Sequence, residues 1–158
     1  MGIPERSREQ IEEKLAGLEE VYGTFAVNQT TISLPERRYA SVRDRDDQRP
    51  IDTYVEVYND DNEVLQVGRR ADAELPNTRV ALDESPERQV CRAVEEETGI
   101  DCRIEELARV TIAGLRNADD EDAGTLYQLI VVFRATHKSG TPKDGAHWLS
   151  PGRPVSPT

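Results

Sequence analysis

Apolar positions recur along the chain in two different periods, and the switch between them marks out the elements. From Ser7 to Tyr22 the residues Ile11, Leu15, Leu18 and Tyr22 fall three or four apart, which is the stripe of an amphipathic helix. Ser7-x-x-Gln10 has the form of a capping box, and Gly23 stands where the helix would stop. From Thr24 to Leu34 the period shortens, with β-branched Val27, Thr31 and Ile32, and predicts a strand. Pro35 to Pro50, with RDRDDQR at its centre, reads as a solvated helix or loop. Ile51, Thr53, Val55 and Val57 then alternate on one face of a strand that runs to Tyr58. Asn59-Asp60-Asp61-Asn62 is a turn, and Glu63 to Val67 returns as the second strand of a hairpin. Arg69 to Glu74 reads as a polar connection.

The helical period returns at Ser85 to Thr98. Ser85 is placed to cap, Pro86 takes the first helical position and Gly99 follows the end. Val90, Cys91 and Val94 form its narrow apolar face, and Glu95, Glu96 and Glu97 lie on the opposite flank. Arg103 to Leu115 and Leu126 to Ala135 predict long strands. The second, LYQLIVVFRA, is nearly continuous in apolar residues and so belongs at the centre of a sheet. Between them RNADDEDAG is an acidic loop, and Leu149 to Thr158, with three prolines and no period, reads as a frayed tail. No internal repeat is visible. The order of helix, strands, one central helix and strands predicts an α+β fold: a mixed sheet covered by helices on both faces. The expected division is an N-terminal helical extension (1–23), one domain (24–148) and a Pro-rich tail (149–158).

The 158 residues suffice for one domain with a core of its own. Charge changes the picture more than size does. There are 31 acidic and 20 basic residues, for a net charge of −11. A field of that sign repels phosphate backbones, and aromatic content of 5% leaves little for base stacking, so nucleic acid is not the expected partner. Of the 20 basic residues only Lys14, Lys138 and Lys143 are lysines, which leaves 17 arginines. Acids spread along the whole chain with almost no lysine point to a high-salt cytoplasm, where hydrated carboxylates stay soluble and salt screens their repulsion. No run of 18 apolar residues offers a membrane span, and MGIPERSREQ lacks the apolar centre of a signal peptide, so a cytoplasmic location is expected.

The usual chemistry-bearing residues are scarce. Cys91 and Cys102 match no metal-site spacing. A disulfide between them is conceivable, but free thiols are expected in a reducing cytoplasm. His137 and His147, at a strand end and in a loop, read as ordinary surface histidines. No GxxxxGK or GxGxxG loop occurs. The informative stretch is LPNTRVALDESPERQVCRAVEEETGI, Leu75 to Ile100. Three successive glutamates near the C-terminus of a helix oppose its dipole and repel one another. Arg92, four residues before Glu96, offsets part of this, and Glu84 stands just before the helix. Carboxylates gathered against their own electrostatics suit a hard divalent cation bound by oxygen. They also suit a solvated face on an acidic protein.

The spacing adds a further reading. The segment resembles the Nudix box of the MutT-like hydrolases, G-x5-E-x7-R-E-U-x-E-E-x-G-U with U aliphatic. Its positions are filled here by Thr78, Glu84, Arg92, Ala93, Val94, Glu96, Glu97, Gly99 and Ile100, seven of the nine in agreement. The resemblance covers about Ile51 to Trp148. It implies a Nudix-like α/β/α sandwich with a mixed sheet. The implied activity is a Mg²⁺- or Mn²⁺-dependent hydrolase that cleaves the pyrophosphate of a nucleoside diphosphate linked to another group, ADP-ribose-like, or of a nucleoside triphosphate. Glu84, Glu96 and Glu97 match the metal-binding positions. Arg92 matches the residue that orients the catalytic carboxylates, so Arg92, Glu96 and Glu97 are the implied catalytic residues. Substrate-binding residues are not legible.

Two positions depart from the box. Thr78 replaces its Gly, with Asn77 before it where a second Gly is usual, which predicts a reshaped loop because a β-branched residue enters left-handed backbone poorly. Ala93 replaces a Glu that binds metal and serves some members as general base. Alanine does neither. The degenerate box leaves two readings, a hydrolase of weakened chemistry, with its base on another segment such as Asp119, Asp120, Glu121 or Asp122, or an inactive Nudix-fold domain that binds nucleotide or regulates; a third reading is an unrelated acidic structural domain. The partner expected is a small nucleotide-type molecule, with no membrane and no nucleic acid. The oligomeric state stays open, and a homodimer through the N-terminal segment is one arrangement it allows.

Overall fold

The computed structural model of the chain describes residues 3–46, 49–68 and 73–150. The Pro-rich stretch from 151 onward and residues 69–72 of the expected polar connection lie outside them. Three helices and seven strands follow one another: α1 (Ile3–Tyr22), β1 (Val27–Leu34), α2 (Glu36–Asp46), β2 (Ile51–Tyr58), β3 (Val64–Val67), β4 (Asn77–Val80), α3 (Pro86–Thr98), β5 (Asp101–Asn117), β6 (Leu126–Ser139) and β7 (Ala146–Leu149). The strands form one mixed sheet in the order β1-β5-β6-β2-β3-β7, with β4 paired to β2. This is the α+β class read from the sequence, with β6 in the interior of the sheet as its apolar run requires.

The chain divides into two compact units. The first contains α1, β1, α2, the first two residues of β2, Arg79–Glu84 and Arg109–Val131. In it β1 runs parallel to β5, from Val27 opposite Val110 to Leu34 opposite Asn117. Strand β1 is an edge strand and is exposed along most of its length. Helix α1 buries Ile11 and Leu18 of the predicted stripe, while Leu15 and Tyr22 are half-buried. It begins at Ile3, so Ser7 lies inside the helix and is not its cap. Its end is as predicted: Gly23 has φ 80° and returns its N–H to the Glu19 carbonyl at 2.8 Å. Helix α2 settles the helix-or-loop question for 36–46. Its Tyr39 and Val42 pack with Leu115 and Leu126, flanked by Leu34 and Ala123.

The second unit contains Thr53–Thr78, Ser85–Ala108 and the described chain from Val132 to residue 150. Along β2 every second residue is buried, including Val55 and Val57. At the β2–β3 turn Asn59 Oδ1 accepts the N–H groups of Asp61 and Glu63, and Asn62 takes a left-handed φ of 62° that asparagine tolerates. Strand β7 pairs antiparallel with β3, Val64 opposite Leu149 and Val67 opposite Ala146. The chain at 146–149 is therefore a strand, and the expectation of an irregular tail from Leu149 is corrected at that residue. His147 is likewise in a strand and not in a loop.

Candidate functional site

The segment singled out by its carboxylates folds as strand, loop and helix. Asn77 and Thr78 begin β4, and neither has a positive φ. The left-handed loop conformation that would require glycine is not used here. Extended backbone is where a β-branched Thr is at ease, and the Asn77 side chain donates to the Leu75 carbonyl at 2.9 Å.

In the first unit, the loop after β4 places Glu84 where its Oε1 accepts the Ala81 N–H at 2.9 Å. The backbone of this loop is held from helix α1. The Lys14 ammonium donates to the carbonyls of Leu82 at 3.2 Å and Glu84 at 2.9 Å. No local spacing signals this contact, because it joins residues about 70 apart.

In the second unit, α3 starts and stops on the residues expected. Ser85 has extended backbone and its hydroxyl accepts the Arg88 N–H; Gly99 has φ 80° and donates to the Glu95 carbonyl. The buried side is Pro86, Val90, Val94 and Thr98. Thr98, overlooked in the apolar pattern, donates its hydroxyl to the Val94 carbonyl at 2.6 Å and accepts the Ile100 N–H at 3.1 Å. Glu95, Glu96 and Glu97 are exposed. Arg92 Nε bonds Glu96 Oε1 at 3.1 Å, the offsetting pair predicted from spacing. With the two side chains about 70% exposed, its worth is a few tenths of a kcal/mol. The Lys143 ammonium donates to the Glu96 carbonyl at 3.2 Å and its N–H to the Thr98 carbonyl at 2.8 Å. A cation here answers the negative end of the helix dipole. Two of the chain's three lysines therefore hold backbone carbonyls at the two ends of the segment, each in its own unit.

Glu84 in the first unit, and Glu96 and Glu97 in the second, each offer carboxylate oxygens, the ligand type a hard divalent cation prefers. Glu97 has no hydrogen-bond partner among the described residues, and Glu84 and Glu96 each use one oxygen on an N–H. At half-buried position 93, one turn before Glu96 and Glu97 on the helix, stands a methyl group. Among the described residues no group of three or more His, Cys, Asp or Glu side chains is placed to hold a metal ion.

In the acidic loop, two of the four acidic side chains bond backbone N–H groups. Asp119 Oδ2 accepts the Glu36 N–H at 2.8 Å and so caps α2. Asn117 donates to Glu36 and accepts the Asp119 N–H, and Asp120 Oδ1 accepts the Asp122 N–H at 3.0 Å. Tyr39 donates its hydroxyl to the Gly124 carbonyl. Its phenol is held above the ordinary range, first by burial and further by Asp120 and Glu36, with Arg43 opposing. His137 contacts the Gly140 carbonyl at 2.9 Å and lies against Trp148, with ring centroids 5.2 Å apart. This is a structural use of the ring.

No family model and no curated protein matches the chain. Solved structures do. An ADP-ribose pyrophosphatase from Streptococcus suis 89-1591 is 16% identical over 63% of this chain and 72% of its own, with a TM-score of 0.46. A NUDIX-family hydrolase from Clostridium perfringens is 15% identical over 65% of this chain and 81% of its own, with a TM-score of 0.45. A Sinorhizobium meliloti 1021 protein described as an oxidoreductase is 20% identical over 74% of this chain, with a TM-score of 0.47, and this chain spans 36% of its length. Likeness at these scores decides neither family nor chemistry, and the residues themselves must carry the functional reading.

Proposed function

We propose that the chain is a MutT-like Nudix domain with a degenerate box, which acts on the pyrophosphate of a small nucleotide with Mg²⁺ or Mn²⁺. The observation that carries the reading is α3 itself: a helix capped at Ser85 and Gly99 that presents Arg92 bonded to Glu96, beside a Glu97 with no hydrogen-bond partner among the described residues, at the spacing of the box. Glu96 and Glu97 would hold the cation, with Glu84 in support. When bound, the ion would neutralise charge on the pyrophosphate and make water a better nucleophile. The Arg92 guanidinium, bonded to Glu96 Oε1 at 3.1 Å, would favour one orientation of that carboxylate. Hydrolysis breaks one P–O bond of the anhydride and adds the elements of water across it. Ala93 cannot accept the proton of that water, so the rate is reduced by the share a general base supplies, about 10²–10⁴-fold.

That same alanine favours a second reading, a domain that binds nucleotide or regulates and no longer hydrolyses. The two separate in one assay. ADP-ribose, dinucleoside polyphosphates and nucleoside triphosphates are incubated with Mn²⁺ and either the natural chain or Ala93→Glu. The first reading expects slow release of phosphate ester from one substrate and a gain of about tenfold or more in the variant. Tighter Mn²⁺ binding in the variant with no product from any substrate is the result that supports the second. No change in metal binding or in activity would remove the box from the account. The remaining parts of the proposal are a single domain over 24–148 with α1 as its extension, a cytoplasmic setting of high salt such as that of haloarchaea, and a homodimer through the N-terminal segment.

A further inference from the structure

Cys91 lies on α3 and Cys102 is the second residue of β5, and the two sulfurs are 3.7 Å apart as free thiols. Cys91 is partly exposed, on the flank of α3 across the buried Val90–Val94 stripe from Ala93, whereas Cys102 is only 6% exposed. A disulfide needs its sulfurs about 2.05 Å apart, so closing this pair asks for less than 2 Å of approach by two short side chains. We propose that Cys91 and Cys102 are a reversible redox pair: a low-molecular-weight disulfide oxidises them to an intramolecular bond that ties α3 to the start of β5.

The roles within the pair follow from burial and from the direction of the hydrogen bond. Cys102 donates its S–H to Cys91. This contact holds the Cys91 thiol below the ordinary range, with burial, Asp101 and Glu87 opposing and Lys138 assisting. Cys102 is pushed up, first by the same contact, then by burial. Cys91 is therefore the attacking sulfur. Its thiolate displaces one thiolate from the reagent disulfide and forms a mixed disulfide. Cys102 loses its proton and attacks the Cys91 sulfur, which releases the second thiolate of the reagent. The protein gives up two electrons and two thiol protons, and the reagent is reduced to two thiols. The helix that would be pinned carries Arg92, Glu96 and Glu97, so the oxidation state acts on the element at the centre of the functional proposal while standing independently of it.

The test uses the full chain, reduced and then equilibrated with glutathione buffers of graded ratio, quenched with a maleimide and weighed intact. The expected result is one transition from two alkylated thiols to none, with the mass of two hydrogens lost and the chain monomeric without reductant. The oxidised form should melt about 5 °C higher than the reduced form, because the bond restricts the unfolded chain. Cys102→Ser should trap a stable glutathione adduct at Cys91, about tenfold or more faster than Cys91→Ser traps one at Cys102. The proposal is overturned if the natural chain keeps two alkylatable thiols at every ratio, gathers stable glutathione adducts, or forms only bonds between chains. Equal trapping rates in the two variants would overturn the assignment of Cys91 as the attacking sulfur.

Discussion

Several residues matter here for a reason that sequence spacing does not contain. Thr98 looked like a polar residue at a helix end, yet it is fully buried and its hydroxyl serves two backbone groups. Thr98→Val keeps the shape and leaves the Ile100 N–H without that partner. It should cost about 1–3 kcal/mol, seen as a lower urea midpoint at an unchanged m-value. Lys14 serves carbonyls 68 and 70 residues away, and Lys143 serves one 47 residues away. Contacts of that range depend on the finished fold, so the three lysines could be counted in the sequence but not assigned. Tyr39 makes a pH prediction. Its phenol ionises less readily in the folded chain than at its ordinary value of 10.0, so the folded state holds the proton that the unfolded state releases. This stabilisation is present below pH 10 and is lost as pH rises through the folded pKa. Tyr39→Phe, which also loses the bond to the Gly124 carbonyl, should lower Tm at pH 7 and flatten its decline above pH 10.

At the scale of elements, the clearest local signals matched the structure. Helix α3 announced its ends through Ser85, Pro86 and Gly99, and β2 announced its buried side through four alternating residues. Strands β4 and β7 went unread. Each is four residues long and exists through its partner strand, β2 or β3, and so carries too few residues to show a period. The start of α1 was missed by four residues because Ser7-x-x-Gln10 also fits a helix interior. Two glycines predict opposite outcomes. Gly17 is an exposed position of α1 with nothing within 4 Å of an added Cβ, so Gly17→Ala should stabilise by about 0.5–1 kcal/mol. Gly99 has φ 80°, and its Cβ would stand 3.1 Å from both Lys143 Cγ and the Thr141 carbonyl oxygen. Gly99→Ala should destabilise by about 1–3 kcal/mol, and thermal melts of the two variants side by side would show whether α3 ends as described.

At the scale of the whole molecule, charge is the dominant property. With 31 acids against 20 bases, self-repulsion falls as the Debye length shrinks from about 10 Å at 0.1 M salt to about 3 Å at 1 M. Tm should therefore rise steadily from dilute buffer to molar KCl, and a flat or falling curve would remove the argument for a high-salt cytoplasm. The sequence offers the proposed site as positions along the chain, Glu84, Arg92, Glu96 and Glu97 with Ala93 among them. Its local contacts were not, apart from the Arg92–Glu96 pair that helical spacing dictates. The central claim is that these carboxylates serve a cation and not merely solvation. It is tested most directly by calorimetric Mn²⁺ titration of the natural chain, Ala93→Glu and the double variant Glu96→Gln with Glu97→Gln, all at one salt concentration. The account predicts saturable binding to the natural chain, tighter binding to Ala93→Glu and a loss of about tenfold or more in affinity for the double variant. Equal affinity in the natural chain and the double variant would contradict it.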